Sequence, residues 1–190
     1  MIFTGFYAKI QLSKAGKTGI LYVNSLYQNE VSTMQKRTVS FSKTEQVHLV
    51  QPADLNGGGR LFGGNLLKMI DELAAIVAMR HTGLKTVTTV AIDNLTFKSP
   101  AYVNDLIVLV GYLTHTGRTS MEVRIDAYVE RSDGMRYPIN RAYIVLVALD
   151  NDNTPAEVPP LILENDIQKE EFSLAEKRRQ LRLERRQGGF

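Results

Sequence analysis

Nineteen residues, 64 to 82, constrain the fold of this chain more than any other stretch: GNLLKMIDELAAIVAMRHT. Leu, Met, Ala, Lys and Glu dominate and proline is absent, so the segment is a helix. At about 100° per residue, Asn65, Lys68, Asp71, Glu72 and Ala75 take up about a third of its circumference. The rest is almost wholly apolar, from Leu66 and Leu67 through Ile70, Leu73 and Ile76 to Met79. A helix so apolar does not lie on a surface; other structure must surround it.

Strands supply that surround. Val39, Phe41, Val47 and Leu49 predict a strand over 38–50, bent around Lys43 and Thr44. After Gly83 the pattern predicts strands over 86–97, 105–115, 119–131 and 136–149. Val123, Ile125, Ala127 and Val129 alternate with Arg124, Asp126, Tyr128 and Glu130, which predicts a half-exposed antiparallel strand. SDGM at 132–135 predicts a hairpin turn, with Asp-Gly supplying positive φ, and HTGRT at 115–119 predicts a second tight turn. NDLIVLVGYL and RAYIVLVALD are apolar on both faces and so belong at the centre of a sheet or at an interface. One strand, one buried helix and four more strands make an α+β pattern. Its simplest packing is a single antiparallel sheet curled around the helix, the layout called a hotdog fold.

The ends of the chain read differently. Residues 1–37 show poor periodicity and are expected to form an N-terminal extension. Met34 lies just before the regular pattern, so 1–33 is either an upstream extension of a chain starting at Met34 or an ordered arm. The domain proper is expected over 38–160, closed by Pro155, Pro159 and Pro160. Within 161–190, residues 163–187 predict a charged tail helix. Between Glu176 and Gln187 it carries six basic and two acidic groups. Such a helix caps the body or a neighbouring subunit, or else meets an anionic ligand or nucleic acid.

Charge and composition then exclude several classes. The net charge is +3, but residues 1–37 hold five basic groups and one acid, and the remaining 153 residues hold 18 basic and 19 acidic groups. A near-neutral body is not that of a nucleic-acid-binding domain. The chain has no cysteine, which excludes a thiolate nucleophile and a cysteine zinc site and fits a reducing cytoplasm. No apolar run approaches the roughly 18–20 residues that span a bilayer, and the N-terminus lacks the order of a secretory signal. AGKTG at 15–19 fails as a phosphate loop, because Gln11 stands where the first glycine is needed. His48, His81 and His115 stand alone on a strand, a helix end and a turn, and are expected to be structural or solvated.

What remains is NGGGRLFGG, residues 56–64, with five glycines just ahead of the helix. Glycine costs backbone entropy, so five require a reason. A tight strand-to-helix turn needs one or two. More of them let a ligand oxygen approach the unpaired N–H groups and partial positive charge of a helix N-terminus. Asn56 is either a turn residue or an amide that donates to a carbonyl or holds water. Asp71 sits at the edge of the polar arc, where a half-buried carboxylate suits general-base work. It lies about 12 Å along the axis from the helix start. It therefore cannot easily share a reacting atom with its own helix N-terminus, but the helix of a second subunit, running antiparallel, could bring its Asp71 there.

The pattern from Asn56 through Gly59, Leu61, Phe62, Gly63, Gly64, Leu66, Leu67 and Ile70 to Asp71 resembles the signature of hotdog-fold acyl-CoA thioesterases. AIDNLTFKSPAYVNDLI at 91–107, GRTSMEV at 117–123 and RAYIVLVALD at 141–150 resemble that family's later strands in the same order, over about 38–187. Two departures stand out. Asn-Gly-Gly-Gly-Arg replaces the family's frequent Asn-His-His-Gly-Thr, and Asn104 replaces a usual glycine. The resemblance implies hydrolysis of acyl-CoA to fatty acid and CoA. Gly63 and Gly64 amides would stabilise the oxyanion, Asn56 would polarise the carbonyl or hold water, and Asp71 of a partner would activate the water. No metal or other cofactor is called for; coenzyme A is part of the substrate. Arg60 and Arg118, in glycine-flanked turns, are candidates for its phosphates. The resemblance further implies a homo-oligomer with a dimer as the catalytic unit, assembled as a hexamer, with no nucleic-acid or membrane partner. The alternatives are a non-catalytic acyl-CoA-binding regulator and an enoyl-CoA hydratase or dehydratase on the same fold.

Overall fold

The structure is a computed structural model and describes residues 35–189. The expected break at Met34 lies outside those residues. The single strand expected over 38–50 is instead three elements. Arg37–Thr38 forms a two-residue strand, β1, parallel to β7 (Leu161–Ile162). Val39–Ser42 is one helical turn, α1, and Thr44–Leu49 is β2. A local cap decides this: the Thr38 hydroxyl accepts a 3.2 Å hydrogen bond from the Phe41 amide. The turn buries Val39 and Ser42 and leaves Phe41 outside under the Arg37 guanidinium.

The central helix, α2, spans Gly63–Thr82. Gly83 ends it with φ 75°, a left-handed conformation, and returns its N–H to the Met79 carbonyl. Arg37 donates to the Arg80 and His81 carbonyls, at 3.0 and 2.6 Å, and so caps the same end.

Four strands follow: β3 (Thr86–Phe97), β4 (Leu106–Thr116), β5 (Ser120–Glu130) and β6 (Arg136–Leu149). With β2 they form one antiparallel sheet in the order β2-β4-β5-β6-β3. The two doubly apolar strands, β4 and β6, are both interior. Leu66, Ile70, Leu73 and Val77 of α2 pack on Ile107, Leu109, Ile125, Ile144 and Leu146 of the sheet. Each such fully buried side chain contributes roughly 1.5–3 kcal/mol. This is the hotdog layout read from the sequence. Gly134 alone carries the positive φ (80°) of the SDGM turn. Asn104 has φ 69° and donates its amide to Val50, so the residue that departs from glycine keeps glycine's conformation.

The outer face of β5 is not half-exposed, as its alternation predicts. The tail helix, α3 (Asp166–Gln187), lies over it. Glu122 is 2% exposed and Asp126 6%. Arg178 and Arg182 reach Glu122 at 2.8 and 2.9 Å, and Arg124 bridges Asp126 and Glu171 at 2.8 and 2.7 Å. Polar alternation marks a face without an apolar partner; here the partner is charged.

Candidate active site

The glycine loop is built on Asn56. Its Oδ1 accepts the amides of Gly58 (2.8 Å) and Arg60 (3.3 Å), its own amide donates to the Arg60 carbonyl (2.8 Å), and Gly59 returns to the Asn56 carbonyl (3.0 Å). Gly59 takes φ 71°. The turn reading of Asn56 therefore holds. Its carbonyl oxygen holds the loop, while its Nδ2 has no acceptor among the described residues. Leu61 and Phe62 pin the loop by donating to Ala101 and Asp54, both at 2.8 Å.

Close approach explains two further glycines. A Cβ on Gly63 would stand 3.2 Å from the Phe97 ring, and one on Gly64 would stand 2.5 Å from the Phe62 ring. These two residues open α2, where their N–H groups lack helical partners. Beside them is a cavity of about 410 Å³, lined by Asn56, Arg60, Gly63, Phe97, Lys98 and Ser99 among others. The loop thus brings Asn56, Arg60 and Gly63 to one hollow, with the Gly64 amide next along the turn.

Asp71 and Arg118 are elsewhere. Asp71, half-buried on α2, accepts a 2.6 Å hydrogen bond from the Thr89 hydroxyl. Thr89 lies on β3, whose other edge has no strand partner among the described residues, and Val90 (50%), Ile92 (38%) and Phe97 (52%) on that strand are exposed. Arg118 sits in the β4–β5 turn, beside Glu157 and Pro160 in a separate hollow. Thr89, Phe97 and Lys98 were not singled out by the sequence. Thr89 is one of four threonines within 86–96, and nothing in sequence pairs it with a residue 18 positions earlier.

The three histidines divide. His81 is buried and donates Nε2–H to the Pro159 carbonyl at 2.9 Å; burial lowers its pKa. His115, at the end of β4, stacks on Phe172 of α3, and burial lowers its pKa too. His48 is not alone: its Nε2 meets Asp54 Oδ2 at 2.7 Å. The Gln51 amide, then His48, hold the Asp54 carboxyl below its usual range. This pair faces a hollow with Gln46, Asn65 and Lys68, not the Asn56 cavity. Among the described residues no three His, Asp or Glu side chains stand together as a metal site would require. No described helix is long and apolar enough to cross a membrane.

Comparison with known proteins gives these features a family. Residues 58–134 match the thioesterase superfamily model. An uncharacterized acyl-CoA thioester hydrolase of Zymomonas mobilis is 38% identical over 114 residues, 60% of this chain and 76% of the relative. A hexameric acyl-CoA thioesterase, solved in its apo form, is 38% identical, with TM-score 0.76 over 80% of this chain and 97% of that one. An acyl-CoA hydrolase of Staphylococcus aureus, solved with butyryl-CoA and CoA, is 32% identical, with TM-score 0.76 over 81% and 94%. Alanine variants of that hydrolase have been solved at an asparagine, at an aspartate fifteen positions later and at a threonine seventeen beyond that. Mammalian cytosolic relatives are longer, and the chain spans 37% of the rat enzyme's length. The chain therefore belongs to the thioesterase superfamily, among its acyl-CoA thioester hydrolases.

Proposed function

We propose that this protein hydrolyses acyl-CoA to a carboxylic acid and CoA at sites shared between two copies of the chain. The thioester carbonyl lies at the start of α2. Asp71 of the second copy takes a proton from water, whose oxygen bonds to the carbonyl carbon. The amides of Gly63 and Gly64 and the Asn56 Nδ2 stabilise the oxyanion. The carbon–sulfur bond then breaks, and the CoA thiolate takes up the proton held by Asp71. A thiolate is a good leaving group, with a reference thiol pKa of about 8.5, so neither metal nor cofactor enters. Arg60 and Lys98 at the cavity suit the phosphates of CoA; Arg118 would serve only a molecule bound across a subunit boundary.

The observation that carries this reading is the Asp71–Thr89 bond on an open sheet edge. The base is fixed to the strand that a second copy would cover, and stands about 12 Å along the helix from its own oxyanion amides. The spacing of fifteen between the substituted asparagine and aspartate of the S. aureus hydrolase equals that between Asn56 and Asp71 and supports the same pair. Hexameric relatives support a trimer of dimers. A cysteine-free chain fits the cytoplasm. The His48–Asp54 pair resembles what a hydratase would use, but it opens to a different hollow, so it does not favour that reading.

Mixed dimers test the shared site. Asp71→Ala is expected to be inactive, and Asn56→Ala to lose about 10²–10³-fold in rate. A heterodimer of the two has one doubly damaged site and one intact site, so random mixing should restore about a quarter of wild-type activity. Mixed dimers that stay inactive would reject the sharing.

A further inference from the structure

Ile167, Leu174 and Leu181 are 79%, 40% and 55% exposed on α3. They recur every seven residues, so they form one line that drifts only about 20° per step. The line runs roughly 21 Å along the helix. It lies about a quarter-turn from the face on which Ala175 is buried against the sheet. Among the described residues, the body of the chain therefore holds α3 without covering this flank. An apolar stripe on a helix already anchored elsewhere contributes nothing to the single chain.

The charges of α3 say what fits the stripe. Residues 166–176 hold four acids and one base, and 177–187 hold six bases and one acid. The helix dipole accounts for acids in the first turn and bases in the last, but its influence fades beyond those turns. Here the division runs to the middle of the helix, with Glu176 beside Lys177. Glu171, Arg178, Arg182 and Arg185 already pair within the chain. Glu170 and Lys177, both on one flank of the stripe, have no ion pair among the described residues. A copy of the same helix laid antiparallel sets Glu170 against the second copy's lysine at the same flank; a parallel copy would set like against like. Antiparallel pairing also aligns the apolar line with itself. With Leu174 on the two-fold axis, it meets its own copy and Ile167 meets Leu181.

We infer that α3 pairs antiparallel with α3 of a second copy along Ile167, Leu174 and Leu181, and that this contact joins one dimer to the next. The contact is isologous, and a second isologous contact beside that of the catalytic dimer can close a ring of dimers. It is distinct from the open edge of β3, which the catalytic dimer uses. It rests on the reading that dimers assemble further. One apolar residue per two turns is a thin seam, so the contact gains its strength from repetition around the ring.

Two variants test it in the full-length protein. Leu174→Asp places two carboxylates on the two-fold axis; sedimentation should show hexamers reduced to dimers that keep wild-type specific activity. Because the chain has no cysteine, Leu174→Cys can be joined to its copy by a short bis-maleimide, whereas Ser173→Cys, on another side of the helix, should stay unlinked. A Leu174→Asp protein that remains hexameric, or a Leu174→Cys protein that links no better than Ser173→Cys, overturns the pairing. A wild-type dimer whose Leu174→Cys form still links would reject the hexamer and keep the helix pairing, so the two readings fail separately.

Discussion

Thr89 donates its hydroxyl to Asp71 Oδ1 at 2.6 Å, tying the central helix to the open edge strand. Oδ2 has no partner among the described residues and is left for another proton. Thr89→Val keeps the shape of the side chain and removes the bond. A hydrogen bond to a charged group contributes about 1.5–3 kcal/mol, so kcat should fall about 10–100-fold with KM little changed. Asp71→Ala should leave no turnover. Steady-state kinetics on one acyl-CoA check both, and an equal rise in KM would assign Thr89 to substrate binding instead.

Asn56 has an observed task and a proposed one, and substitution can separate them. Its Oδ1 organises the loop through Gly58 and Arg60, and its Nδ2 is the proposed donor. Asn56→Asp keeps the acceptor and loses the donor, so kcat should drop about 10²–10³-fold while the loop stays in place. Asn56→Ala loses both and should also raise KM. If the two variants were indistinguishable in both constants, the loop role would be the only one.

The core was legible because α2 is apolar around most of its circumference and β4 and β6 are apolar on both faces. Those patterns leave few ways to bury Ile70, Leu73 and Val77. The loop was legible through its glycines, yet only Gly59 needs its φ; Gly63 and Gly64 answer to the rings of Phe97 and Phe62. What escaped depends on distant partners. Thr89 bonds Asp71, and His48 bonds Asp54, and neither pairing leaves a periodic trace. The outer face of β5 misled because Arg124 and Asp126 read as solvent-facing, when α3 supplies their counter-charges. The helical turn at Val39–Ser42 escaped because one hydroxyl on Thr38 outweighs a two-residue alternation.

Glu122 tests how α3 is held. It is 2% exposed and meets Arg178 and Arg182, while Thr114 donates to it at 2.8 Å. Glu122→Ala leaves two arginines short of a carboxylate in a nearly dry site. Breaking a buried pair on one side costs about 3–5 kcal/mol. Because Arg178 keeps Glu171 and Arg182 keeps Asp93, the lower end is expected. Urea unfolding should show that loss, and proteolysis should cut sooner just before Asp166.

Gly111 marks the closest approach of helix and sheet. A Cβ there would lie 2.7 Å from Ile125 Cδ1, 3.0 Å from Val77 Cγ2 and 3.2 Å from Leu73 Cγ. Gly111→Ala should therefore destabilise by overpacking, about 1–3 kcal/mol, despite alanine's better backbone entropy. Thermal unfolding decides it; an unchanged Tm would mean that α2 can shift away from β4 freely.

His81 gives the fold a pH dependence of fixed sign. Burial lowers its pKa below 6.5; the hydrogen bond to the Pro159 carbonyl opposes the shift only in part, and the Arg37 charge adds to it. As pH falls below about 6.5, the unfolded ring gains a proton and the buried ring does not. The unfolded state then binds more protons, so stability declines with falling pH until the folded pKa is reached. The loss is at most about 1.4 kcal/mol per pH unit for each such histidine. His115, lowered in the same direction by burial, contributes alike. Tm should therefore fall between pH 7.5 and 5.5. His81→Gln, which retains an N–H for Pro159, should start lower at neutral pH but show a shallower decline. A slope unchanged by this substitution would mean that His81 is protonated in the folded state as readily as in the unfolded chain.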